Sequence, residues 1–147
     1  MGLKEQLAAD LKAAMKDKDV IRKNTVQLVR SAILQYEKDH LTELDEEGVI
    51  DVIAKELKQR KDSLPEFEKS GREDLVEGLK REMEVLMTYL PEQLSEEELT
   101  EIIREAIAKT GAASVKDMGK VMGMVTAQTK GRADGKTIGA IAKKLLG

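Results

Sequence analysis

The sequence predicts an all-α protein, with an N-terminal domain of about four helices over residues 1–91 and a three-helix domain over 92–147. Three observations lead there. Only three aromatics occur in 147 residues (Tyr36, Phe67, Tyr89), too few for sheets that favour aromatic and β-branched side chains. Ala, Leu, Glu, Lys, Met and Gln, the strong helix formers, dominate instead. Apolar residues recur at steps of three and four, with no sustained alternation of period two.

In the first helix, Leu3, Leu7, Leu11 and Met15 step by four, with Ala8 and Ala14 on the flanks. Asp17-Lys18-Asp19 interrupts it, and Asp19 can cap a second helix whose stripe is Ile21, Thr25, Leu28, Val29, Ala32, Ile33 and Tyr36, ending near His40. Asp45 can cap a third helix carrying Ile50, Ile53, Leu57 and Leu64. Pro65 removes one N–H and crowds the carbonyl of Lys61, so a kink or restart is expected there. A fourth helix follows from about Arg72, with Leu75, Leu79, Met83, Leu86 and Leu90 inward. Pro91 ends it, because the residue before a proline avoids the helical region.

Ser95-Glu96-Glu97-Glu98 then reads as a capping box. Leu99, Ile102, Ile103, Ala106 and Ile107 form the next buried face, and Gly111 closes that helix. Ser114 is expected to cap a helix bearing Val115, Met118, Val121, Met122 and Val125, which ends by Gly131. Asp134 or Gly135 opens the last helix, through Ile138, Ile141, Leu145 and Leu146.

Charge nearly cancels over the chain, 25 basic against 28 acidic groups, yet it is unevenly placed. Residues 1–90 hold 16 bases and 20 acids, whereas 106–147 hold eight bases against Asp117 and Asp134. A basic C-terminal end points to a polyanionic partner. With no Cys and one His, thiolate chemistry and Cys or His metal clusters are excluded. No catalytic constellation is expected, and neither a metal nor a cofactor. His40 reads as a surface residue, and the carboxylates as the solvated faces of amphipathic helices. Glu43-Leu44-Asp45-Glu46-Glu47 lacks the spacing and glycine of a calcium loop. No apolar run approaches the ~20 residues of a membrane span. Met1 to Gln6 has no apolar signal core, which makes the expected location cytoplasmic.

Two segments draw attention. In Met118-Gly119-Lys120-Val121-Met122-Gly123, the glycines fall on one helical face. They serve either close helix packing or close approach of a ligand backbone, with Lys120 beside it. In Lys130-Gly131-Arg132-Ala133-Asp134-Gly135-Lys136, glycines alternate with basic side chains just before a helix start. That is either an anion site built from backbone N–H groups and the helix dipole or a solvated turn capped by Asp134. The nucleic-acid-binding candidates are Lys116, Lys120, Lys130, Arg132 and Lys136. The close-approach glycines are Gly119, Gly123, Gly131 and Gly135. Lys58, Arg60 and Lys61 form a second basic cluster, read as helix surface.

These two segments, with Lys58-Gln59-Arg60-Lys61-Asp62-Ser63 and Tyr89-Leu90-Pro91-Glu92-Gln93-Leu94-Ser95, carry a resemblance over nearly the whole chain. The chain resembles the GatB/YqeY family, and within it the small stand-alone YqeY-like proteins. The resemblance implies a helical N-terminal domain followed by a three-helix domain. The C-terminal part is also similar to the tail domain of the B subunit of the glutamine-dependent aspartyl/glutamyl-tRNA amidotransferase, which helps hold tRNA. Matching positions are Gly119, Val121, Met122, Thr129, Gly131, Ala133 and Ile138. The resemblance thus brings the label of a carbon–nitrogen ligase with glutamine as amide donor, but the catalytic body of that subunit has no counterpart here. The expected function is a tRNA-binding or amidotransferase-associated accessory module without its own active site. Its expected partners are tRNA and components of the amidotransferase or of a synthetase. The alternative is a protein–protein adaptor that docks through the acidic N-terminal domain.

Overall fold

The computed structural model describes residues 2–147. Among them the structure is all-α, with seven helices and one short 3-10 turn. The helices are α1 (Leu3–Lys16), α2 (Val20–His40), α3 (Glu46–Lys69), α4 (Glu73–Met87), α5 (Glu96–Thr110), α6 (Met118–Gln128) and α7 (Gly135–Leu146). The turn, Val115–Asp117, leads into α6. Contacts gather into two compact units, the first ending at Leu90 and the second running Pro91–Gly147.

In the first unit α2 packs on α1, α3 and α4. Leu7, Val26, Val29, Ile33, Val49, Ile53, Leu57 and Leu86 fill the core. Burying a side chain of this size stabilises the fold by about 1.5–3 kcal/mol. Asp19 and Asp45 cap as expected, accepting the backbone N–H of Arg22 at 3.2 Å and of Gly48 at 2.8 Å. Tyr89 and Leu90 follow α4 and are buried in the same core.

Several expected positions lie elsewhere. Met15 is 59% exposed, and Ala14 is buried in its place. A four-residue step overshoots one turn by about 40°, so three steps carry Met15 about 120° off the line of Leu3. Leu28 and Tyr36 are exposed, while Val26, outside the expected stripe, is fully buried. Leu75 is exposed too, one turn into α4 where the core has not yet begun. The expected restart at Pro65 is absent, since α3 continues to Lys69. Pro65 is exposed, so the bond it forgoes lies in the last two turns of α3 near water, where its loss costs least.

In the second unit α5, α6 and α7 each touch the other two. Leu99, Ile103, Ala106, Val121, Val125, Ile138 and Ala142 form its core. The capping box is complete: Ser95 Oγ accepts the Glu98 N–H at 3.1 Å, and Glu98 accepts the Ser95 N–H at 3.2 Å. Gly111 closes α5 at φ +71°, a left-handed conformation that costs glycine little. Ser114 does not cap with its side chain. Asp117 holds the N-cap position of α6, also without a side-chain bond to the helix, and its carboxylate accepts the Ala113 N–H at 3.0 Å.

Candidate nucleic-acid interface

The basic residues of the second unit are set by α6 and the turns at its two ends. The buried line of α6 is Val121 and Val125. At 100° per residue the opposite side carries Gly119, Gly123 and Ala127, with Lys120 alongside. All four are exposed. A Cβ built on Gly119 or Gly123 would meet nothing within 4 Å, so close packing inside the chain is not what these glycines serve. Lys116 sits in the 3-10 turn before α6, and Lys130 two residues beyond its end. Both are exposed, as is Lys136 in the first turn of α7. Between Asp117 and Asp134 the sequence has no acidic residue. The Asp117 carboxyl is held below its usual range, first by the Ala113 N–H, with a smaller contribution from the Lys120 charge.

The segment 129–134 is a tied turn. Thr129 is 1% exposed, and its hydroxyl donates to the Val125 carbonyl at 2.7 Å. The Arg132 N–H donates to the Thr129 carbonyl at 2.8 Å. Gly131 has φ +75°, and its carbonyl accepts the Gln93 side-chain amide at 2.7 Å. The Arg132 carbonyl accepts the Leu94 N–H at 3.0 Å, while Arg132 Nε donates to the Glu92 carbonyl at 3.2 Å. Asp134 accepts the Thr137 N–H at 2.8 Å, placing a carboxylate at the start of α7. The cap expected at Asp134 is therefore present. Gly135 lies in the first turn of α7, where an added Cβ would also be in open space.

The structure thus leaves Lys116, Lys120, Lys130 and Lys136 as exposed cations and makes half-buried Arg132 a fastening for the connector 92–94. Sequence spacing could not show this fastening, because Arg132 and Glu92 are forty residues apart. Lys58, Arg60 and Lys61 do not form a patch, because the Arg60 guanidinium turns inward to Glu56 at 3.3 Å and Glu82 at 3.4 Å. His40 is exposed, stacked on Tyr36 with ring centroids 4.0 Å apart.

Elsewhere the most perturbed group is Tyr89. Burial, reinforced by the nearby Asp10 carboxylate, pushes its hydroxyl well above the usual value. That hydroxyl donates to Asp10 at 2.5 Å, and Asp10 also pairs with Arg22 at 3.3 Å. No nucleophile accompanies this group in the ties described, which join the end of α4 to α1 and α2. Among the described residues no cluster of three or more His, Asp or Glu could hold a metal. No helix there is long and apolar enough to cross a membrane.

A family model described as Yqey-like protein matches residues 4–146. Similar proteins include fungal ones named "Altered inheritance of mitochondria protein 41, mitochondrial". The protein of Kluyveromyces lactis is 48% identical over 84 residues, 56% of this chain and 45% of that one. That of Pyrenophora tritici-repentis is 32% identical over 130 residues, 87% of this chain and 71% of that one. That of Vanderwaltozyma polyspora is 31% identical over 126 residues, 80% and 65% respectively. The chain thus spans from just under half to about two thirds of the length of these relatives.

Proposed function

The chain belongs to the YqeY-like family, and from that premise we propose that it is an accessory module that binds the phosphate backbone of a folded RNA, tRNA foremost, without an active site of its own. The observation that carries this is the outer side of α6, with exposed lysines at both ends, two open glycines between them, and no acidic residue from 118 to 133. Each helical glycine costs about 1 kcal/mol relative to alanine. A side-chain-poor helix face between cations lets a polyanionic backbone come close to the main chain, and the lysines neutralise its phosphates. Base stacking has no part in this reading, because the second unit contains no aromatic residue. Recognition then follows shape and backbone, similar across tRNA species. Amidotransferase or synthetase components are the protein partners this reading brings with it, and cytoplasm is the compartment we propose.

The test is a salt titration of tRNA binding. Replacing Lys116, Lys120, Lys130 and Lys136 by Ala should lower the log–log salt slope by about 3, at 0.7–0.9 per phosphate contact. Arg132 is kept, because its side chain also holds the Glu92 carbonyl of the connector. Ala at Lys12, Lys16, Lys58 and Lys69 removes the same charge from exposed positions of the first unit and should leave the slope unchanged. Absence of tRNA affinity in the unaltered chain at low salt, or equal loss in both variants, overturns the reading.

A further inference from the structure

We propose that the outer face of α2 is a docking surface for an acidic amphipathic helix of a partner protein. The inference concerns the first unit and does not depend on RNA binding by the second. Along one flank of its buried line, α2 carries Val20, Lys23, Arg30, Leu34 and Lys38 at steps of three, seven, four and four, and Leu41 follows as its C-cap. This is the spacing by which one helix presents a seam to another. Val20 is 62% exposed, Leu34 65% and Leu41 92%. Single exposed apolar residues are ordinary, but Val20 and Leu34 on one flank of a helix whose other face already fills a core, with Leu41 at its C-cap, are not accounted for inside the chain. Leu41 also holds the left-handed conformation at φ +51°, where glycine is the less strained choice.

The charge of this line specifies the partner. The first unit is acidic overall, 16 bases against 20 acids, yet the line carries three cations and no carboxylate. The two acids of α2 are already partnered: Glu37, at the edge of the cleft beside Leu34, accepts from Lys4 at 2.6 Å and from the Leu44 N–H at 2.7 Å, and Asp39 accepts from Gln35 at 2.8 Å. Beside Leu34 a cleft of about 110 Å³ is lined by Leu7 and Ile33, by the paired Lys4 and Glu37, and by Arg30. A single water needs only about 10–15 Å³ of such space, so the cleft admits an apolar side chain. Arg30 then meets a carboxylate on the neighbouring turn of the same partner helix. At 1.5 Å per residue the line runs about 30 Å, the length of a partner helix with apolar residues toward its ends and acids between. Phosphates alone would gain nothing from Val20, Leu34 and Leu41. A membrane-lying helix needs a broader apolar face than these three residues provide.

Two 21-residue helical peptides test this against the full chain by fluorescence anisotropy. One carries Leu toward both ends and Glu in the middle of one face; the other has Lys in place of Glu. The Glu peptide should bind at least tenfold more tightly than the Lys peptide. Leu34→Asp should weaken it at least tenfold, and Leu34→Gln should weaken it less. The triple change Lys23→Glu, Arg30→Glu, Lys38→Glu should reverse the preference between the peptides. These side chains lie outside the core, so helical content by circular dichroism should be unchanged. Equal binding of both peptides, or binding indifferent to Leu34→Asp, overturns the proposal. So does displacement of the Glu peptide by tRNA, or Leu34-dependent adsorption to vesicles of phosphatidylcholine and phosphatidylglycerol.

Discussion

Gly119 and Gly123 are the residues at which stability and function are expected to oppose each other. Each is exposed, helical and surrounded by open space, so Ala at either position should raise stability by about 1 kcal/mol through backbone entropy alone. Denaturant midpoints check the gain, and the same variants should bind tRNA more weakly as a methyl intrudes on the face. Tyr89→Phe probes the opposite case. Removing the hydroxyl that donates to Asp10 should cost about 1.5–3 kcal/mol, as for a hydrogen bond to a charged acceptor. The hydroxyl is pushed above its ordinary value of 10.0, so the folded chain holds that proton more tightly than the unfolded one. This contribution is complete below pH 10 and is lost as pH rises beyond it toward the folded value. Unfolding free energy measured from pH 8 upward should fall less steeply in Tyr89→Phe than in the unaltered chain.

Helix starts and stops were the most legible features, because a cap is a contact between residues three apart. Asp19, Asp45, Ser95 and Asp134 all accept from the N–H three residues on, as their spacing indicates. Ser95→Ala should cost about 1 kcal/mol, read as a lower midpoint for the second unit by urea unfolding. Burial along a helix was less legible. Counting by fours assigned Met15 to the core, while the 3.6-residue turn buries Ala14. The site was legible as a concentration of charge and not as geometry. Glycine and basic residues near a helix start suggest an anion loop, but the Gly131 carbonyl and the Arg132 side chain are tied to residues about forty positions earlier in the chain, and no local pattern records that.

At the scale of the whole molecule, each unit closes its own core, so each should unfold on its own account. Ile53→Ala and Ile103→Ala remove fully buried side chains, each at a cost of about 2–5 kcal/mol. Hydrogen exchange should show lost protection in α2–α4 for the first and in α5–α7 for the second. A loss spread over both units in either variant would contradict this. The connector sharpens the division: Tyr89 and Leu90 are buried with the first core, while Glu92, Gln93 and Leu94 are fastened to Gly131 and Arg132. The chain passes from the first unit to the second at the bond between Leu90 and Pro91. A gene segment beginning there carries its own clasp as well as its own core, and should fold when placed behind an unrelated protein. The second unit is, in that sense, portable.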